Sequence, residues 1–167
     1  MKARLIVTLL AVWLIMGCSL DSIDDPISKR ADLERTLTMM IQYEEYGKFK
    51  IIESKECPDL NKHLLYGEFK HKDLGRVATW ATLCTDYQLD NYLDGKFTLE
   101  NGEEIYYSST VTEEDALGRF YVCNIKGGTG RYFNATGKLV IYTEMYPDFK
   151  VHMGYRHLGE GVIAYGK

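Results

Sequence analysis

Apolar and polar residues alternate along much of this chain with a period of two. Leu37, Met39, Ile41 and Tyr43 are interleaved with Thr38, Met40 and Gln42, the rhythm of a half-buried strand. A helix would gather Leu33, Leu37, Met40, Ile41 and Glu44 on one face; the alternation is taken instead, and a strand is predicted. "KFKIIES" after Gly47, "LLYGEFKH" and "RVATWATLCTDYQL" read as further strands, with Pro58 breaking the loop between the first and the second. Asn101-Gly102 lies between two β-rich runs, the signature of a two-residue type I′ hairpin. That turn would set Phe97 opposite Tyr106, Thr98 opposite Ile105 and Glu100 opposite Glu103. "RFYVCNI", "KLVIYTEMY", "FKVHMGYRHL" and "GVIAYG" complete the series, with Pro147-Asp148 as a turn. Eight to ten short strands with frequent turn signals predict an all-β sandwich or barrel, and closure into a barrel would remove exposed edges.

The first residues break this rhythm. Lys2 and Arg4 precede an unbroken apolar run of twelve, Leu5 to Met16. A membrane span needs about 20 residues, so the run reads as the core of a secretory signal. It ends in Gly17-Cys18, which resembles the lipobox of bacterial lipoproteins, in which the signal is cut before a cysteine that carries diacylglycerol. The predicted organisation is a signal peptide over 1–17, a tether over 18–30 and one β-barrel domain over 31–167. The resemblance implies a membrane anchor through lipid on Cys18. Ser19, where an aspartate would resemble an inner-membrane retention signal, favours the outer membrane of a bacterial cell envelope. The acidic "DSIDD" of the tether fits a solvated linker and also resembles, more weakly, a surface-export signal.

Without residues 1–17, 150 residues remain, with 18 basic against 24 acidic side chains and a net charge of −6. That length supports one domain with a real core. The negative charge and the lack of a basic run argue against a nucleic-acid partner. Cys57, Cys84 and Cys123 would mature in an oxidising compartment, and three thiols allow one disulfide. Cys84 and Cys123 both fall in predicted strands and are the expected pair.

"IKGGTGRYFNATGKL", residues 125–139, carries four glycines. As a phosphate loop it fails. Tyr132 stands where the first glycine of G-x-x-x-x-G-K-[ST] belongs, and Leu139 where Ser or Thr should meet magnesium. As a dinucleotide turn it also fails, because Phe133 replaces the third glycine and a strand follows. Gly127, Gly128, Gly130 and Gly137 are instead read as corner and close-approach positions of a β-structure, with Tyr132 and Phe133 plugging the interior between them. Asn101 and Gly102 are the other structural turn. The segment "GGTGRYFNATGKL" resembles the signature of the allene oxide cyclase and dirigent-like β-barrels, above all their small secreted bacterial relatives. "GEFKHKDLG", Gly67 to Gly75, and "NGEEIYY", Asn101 to Tyr107, match two further segments of that family in order. Asp73 stands where the bacterial relatives commonly have histidine. The resemblance covers about residues 65–165 and implies a single eight-stranded antiparallel barrel.

A barrel of that size holds side chains alone or one small ligand. Trp80, Phe97, Tyr106, Phe120, Tyr132 and Tyr142 are the expected inward aromatics, lining an apolar pocket or filling the core. His63, His71, His152 and His157 lack metal-ligand spacing, and Asp86, Asp90 and Asp94 read as a solvated loop; neither a metal nor a cofactor is expected. No nucleophile–base arrangement emerges from the spacing, and Cys123 has no base near it in sequence. Three functions follow. The first is a non-enzymatic lipoprotein barrel that binds a small apolar molecule or an envelope partner. The second, implied by the resemblance, is a cyclase or isomerase, which would need a buried carboxylate or tyrosine with a perturbed pKa; Glu68, Glu104 and Glu144 are the carboxylates on predicted strands. The third is a structural envelope protein with a filled barrel.

Overall fold

A computed structural model describes residues 36–88, 91–147 and 153–166. The apolar N-terminal run, Cys18, the tether and residues 31–35, like Asp90, Asp148 and His152, lie outside the described residues. Nine strands follow one another: β1 (Leu37–Ile52), β2 (Asn61–His71), β3 (Gly75–Thr85), β4 (Asn91–Leu99), β5 (Glu104–Ser109), β6 (Thr112–Asp115), β7 (Gly118–Gly128), β8 (Thr136–Pro147) and β9 (Met153–Tyr165). They hydrogen-bond in the order β5-β4-β3-β2-β1-β9-β8-β7-β6, and a β5–β7 pairing closes the ring. The result is an eight-stranded antiparallel barrel with β6 as an extra strand beside β7. The alternation read at residues 37–43 is that of β1, which buries Met39, Ile41, Tyr43 and Glu45.

Three cross-strand pairs inside the barrel match a tyrosine to a glycine. Tyr43 faces Gly159, Gly47 faces Tyr155, and Gly95 faces Tyr107. A methyl group added to any of these glycines would overlap the paired tyrosine ring. Each ring therefore lies across its partner's bare backbone, and so three tyrosines fit within eight strands. Around them Tyr43 stacks on Phe69 at 4.2 Å, and Phe97 meets Tyr43, Phe69 and Tyr107 at 4.8–5.5 Å. Aromatic pairs at such separations add about 0.5–1.5 kcal/mol each beyond area burial.

One end of the barrel is stoppered. A single 3-10 turn over Gly130–Tyr132 folds Tyr132 inward, 1% exposed, with its ring 4.9 Å from that of Tyr165. Leu74 from the β2–β3 hairpin and Ala135 are buried at the same end. Phe133, expected to share the plug, is instead 72% exposed. At the far end lie the β1–β2 loop, the chain after Thr85 and the start of β7.

Two sequence expectations need correction. The disulfide joins Cys57 to Cys84, and Cys123 is a free, buried thiol. Cys84 and Cys123 do both lie in strands, but β3 and β7 are not neighbours in the ring, whereas the β1–β2 loop folds Cys57 back onto the end of β3. The Asn101-Gly102 hairpin has a three-residue loop. Gly102 N–H donates to Leu99 O at 2.9 Å, Leu99 N–H donates to Glu103 O at 2.9 Å, and only Gly102 of the loop has positive φ, +82°. This is a type I turn followed by a glycine bulge, where the type I′ turn would need both central residues at positive φ. Phe97 consequently faces Ile105, and Thr98 faces Glu104. A one-residue slip exchanges the two faces of a strand, so Ile105 and Tyr107 point inward and Tyr106 outward.

Candidate functional site

The expected inward aromatics divide. Phe97 and Tyr132 are in the core. Trp80, Tyr106, Phe120 and Tyr142 are on the outer wall, because their neighbours Thr79, Ala81, Ile105, Tyr107, Tyr121 and Ile141 take the inner face. Trp80 is 37% exposed. Tyr106 donates to Glu104 at 2.7 Å, Tyr142 donates to Asp115 at 2.8 Å, and Phe120 packs on Tyr142 at 5.1 Å. The corner residues hold the backbone. Gly127, Gly130 and Gly137 have φ of +101°, +55° and +146°. Gly128 lies against the carbonyl of Glu104 so closely that a side chain could not fit.

The carboxylates singled out from the sequence are also outside. Glu68 pairs with Arg76, Glu104 with Lys96 and Glu144 with Arg156. Among the described residues the buried carboxylate is Glu45, 1% exposed. It was hidden in the sequence because it sits beside Glu44 in the segment where helix and strand readings competed. Continuing the alternation of β1 two residues past Tyr43 would have placed it inside. The Thr79 hydroxyl and the Tyr155 phenol both donate to Glu45 Oε1. Gly67 leaves the slot that the carboxylate occupies, since a methyl there would collide with Oε1. Burial pushes the Glu45 pKa up, and the two hydroxyl donors pull against it. Tyr155 is raised by burial and by the adjoining carboxylate.

His157 is the cross-strand partner of Glu45. Its Nδ1 stands 3.9 Å from Glu45 Oε2, beyond hydrogen-bond reach. Desolvation drives the imidazole down to about 3, so the ring is neutral and the two residues are not an ion pair. Among the described residues, His157 Nε2 and the Tyr43 hydroxyl have no partner. Cys123 is pushed up to about 12 by burial, which leaves it a thiol and a poor nucleophile.

Glu45 contributes to the fold by accepting those two hydroxyl bonds. Glu45→Leu leaves both donors buried without an acceptor, and a loss of about 2–3 kcal/mol is expected. Glu45→Gln keeps an acceptor oxygen, and its urea midpoint at pH 7 should stay near that of the wild type. Equal midpoints for the leucine variant and the wild type would show that the two bonds carry no stability.

A chain of cross-strand neighbours leads from this cluster to the open end: Glu45 faces His157, and His157 faces Thr143. Thr143 borders a pocket of about 330 Å³ together with Leu83, Thr85, Tyr87, Glu114, Arg119, Tyr121 and Met145. Two atoms of these lining residues, Thr143 Oγ1 and Arg119 Nε, are covered by protein and lack partners among the described residues. Tyr87, at the rim, has a φ of +64°, a conformation that strains a bulky residue. It is clamped there. Its N–H donates to Thr85 Oγ1 at 2.8 Å, its carbonyl accepts from Arg119 Nη1 at 3.0 Å, and its hydroxyl shares a 3.1 Å hydrogen bond with His63 Nε2. A larger depression, about 880 Å³, lies on the outer wall beside Met40, Lys70, His71, Lys138 and Val162 and includes neither Glu45 nor His157.

Neither a protein-family model nor a curated protein matches the sequence. Solved structures do. The pterocarpan synthase dirigent protein GePTS1 superposes with a TM-score of 0.56 at 11% identity, over 82% of this chain and 95% of its own. The pterocarpan synthase dirigent protein PsPTS1 superposes with a TM-score of 0.54 at 9% identity, over 80% of this chain and 98% of its own. At these identities the likeness is one of fold: the chain shares the eight-stranded barrel of dirigent proteins.

Proposed function

We propose that this protein is a non-enzymatic binding barrel that holds a small, mainly apolar molecule in the pocket at its open end, and that lipid on Cys18 tethers it to the envelope of a bacterial cell, on the outer membrane. The observation that carries the binding reading is the pocket wall. Leu83, Tyr121 and Met145 offer apolar surface, and Arg119, held by the Tyr87 carbonyl, and Thr143 set polar side chains beside it. Its volume is at the lower bound of small-molecule sites, about 300 Å³. The likeness to dirigent proteins adds a fold in which binding and guiding fit, and it adds nothing about the ligand. The anchor rests on the sequence, on the apolar run that closes at Gly17-Cys18.

One observation favours a cyclase or isomerase of the allene oxide cyclase-like class, namely Glu45, a buried carboxylate with a raised pKa beside a neutral histidine. The carboxylate is 1% exposed and surrounded by packed aromatics, so a substrate in the pocket would not touch it. Binding is therefore preferred.

The test is native mass spectrometry of the full protein, extracted from its host membrane in mild non-ionic detergent. A retained adduct is expected, and Met145→Trp, which fills the pocket, should abolish it. A mass without adduct, or an adduct indifferent to that substitution, would remove the pocket from the account.

A further inference from the structure

We infer that the depression on the outer wall is a docking face for the anionic surface of a phospholipid bilayer, with Lys70, Lys72 and Lys138 meeting the headgroups and Met40 and Val162 supplying apolar contact. The inference goes beyond the binding reading and rests on the proposed anchor, which keeps the barrel beside a membrane. A row of cross-strand neighbours forms part of the depression: Lys138 on β8 faces Val162 on β9, which faces Met40 on β1. Lys70, near the end of β2, and Lys72, just past it, line the same depression. All three lysines are exposed. The ion pairs among the described residues engage Lys62, Arg76, Lys96, Arg131 and Arg156 and none of these three. Met40 is 74% exposed and Val162 41%, so the apolar surface between the charges is open to a partner.

Charge selects that partner. Among the described residues, the one carboxylate lining the depression is Glu160, against three lysines. The chain without residues 1–17 carries a net charge of −6, which an anionic surface repels at long range. Screening decides between the two effects. At physiological ionic strength the Debye length is about 8 Å, so only the groups at the contact are felt. Lysines with apolar side chains between them match a bilayer interface, because their stems lie along apolar surface while the ammonium groups stay among headgroups. Chain connectivity agrees. β1 begins at Leu37, three residues before Met40, so the N-terminal segment joins the barrel beside this face. Phe133, 72% exposed, adds a second apolar side chain at the same end of the barrel.

The experiment places the full lipid-anchored protein in vesicles of phosphatidylcholine alone, or of phosphatidylcholine and phosphatidylglycerol in equal parts. A fluorescent label is attached at Met40→Cys, and nitroxide-bearing lipid is the quencher; Cys123 is buried and does not compete for the label. Quenching at position 40 should be strong in the anionic vesicles, several-fold weaker in the neutral ones, and reversed by high salt. Each lysine near an anionic surface should favour the docked state about fivefold. Lys70→Gln, Lys72→Gln and Lys138→Gln together should therefore abolish the difference between the vesicles. A label at Tyr92→Cys, near the open end, should stay unquenched in both. A label at Val162→Cys repeats the reading if Met40→Cys does not fold. Anchored protein whose label at position 40 is unquenched, or equally quenched in both vesicles whatever the lysines, would overturn this inference alone. A label shielded in lipid-free detergent and uncovered on dilution would give the face to a second copy of the chain and also overturn it. Protein without diacylglycerol on Cys18 that separates from the vesicles on flotation would remove the anchor and this inference together.

Discussion

Gly137→Ala is expected to destabilise the barrel by about 4 kcal/mol, combining backbone strain with overpacking that no rotamer can relieve. Gly137 begins β8 at a φ of +146° and faces Ile163 of β9. A methyl group there would fall well under 3 Å from the carbonyl oxygen of Val162, a backbone atom held in the β8–β9 ladder. Gly118→Ala is the matched control. Its φ is +119°, but nothing lies within 4 Å of the added methyl, so only the conformational cost remains, of roughly 1–3 kcal/mol. Domains of this kind are stable by about 5–15 kcal/mol, so the first variant should approach the limit of folding while the second stays well inside it. Urea unfolding of both at pH 7 measures the difference, and equal midpoints would mean that β8 can move away from β9 at little cost.

Acid should destabilise the protein through His157 by an amount on the order of 4 kcal/mol between neutral pH and pH 3. The imidazole titrates near 6.5 when unfolded, and burial lowers it to about 3 in the fold. Between those values the unfolded chain binds a proton that the folded chain refuses, so stability falls as pH falls, with a slope approaching about 1.4 kcal/mol per pH unit. His63, also lowered by burial, acts in the same direction. Glu45 acts oppositely: its raised pKa gives stability that is present below about 4.5 and lost as pH rises through the folded value. The comparison must therefore be made by difference. The gap between wild type and His157→Gln should narrow or reverse as the pH drops from 7 to 4, and the same gap measured in a Glu45→Gln background should follow the same trend. A gap independent of pH would show that the imidazole takes up its proton in the folded barrel as readily as in the unfolded chain.

How much of this was legible in the sequence varied from element to element. The all-β class was, because period-two alternation and turn residues are local signals; the choice of an eight-stranded barrel over a sandwich came from the family resemblance of residues 65–165. The strand at Leu37 was legible through the same alternation. The face of each strand was harder. In β3, Ala78, Trp80 and Thr82 look as apolar as Val77, Thr79 and Ala81, and the ring's curvature decides which set goes inside. The hairpin at Asn101-Gly102 was placed correctly and its register was one residue out. The type I′ turn and the bulged type I turn draw on the same residues, yet they exchange the two faces of the strand, which moved Tyr106 outward. The disulfide depended on a loop folding back over the barrel end, which strand propensity does not report. Glu45 acquires its role only through neighbours distant in the chain, Thr79 and Tyr155.

The tyrosine–glycine pairs bear on how the chain avoids misfolding. A slip of two residues between β1 and β9 would keep every apolar side chain on its proper face, so hydrophobic patterning cannot forbid it. The pairs can. Slipped one way, Tyr155 would sit against Phe49; slipped the other, Tyr43 would sit against His157 and Tyr155 against Glu45. Because Tyr43 meets its glycine on β9 and Tyr155 meets its glycine on β1, the two contacts work as a reciprocal key that seats both tyrosines on glycine only in the native alignment. A β1–β9 pair in either slipped alignment would set at least one tyrosine against a side chain instead of bare backbone, so the first and last strands of the chain pack fully only in the native register.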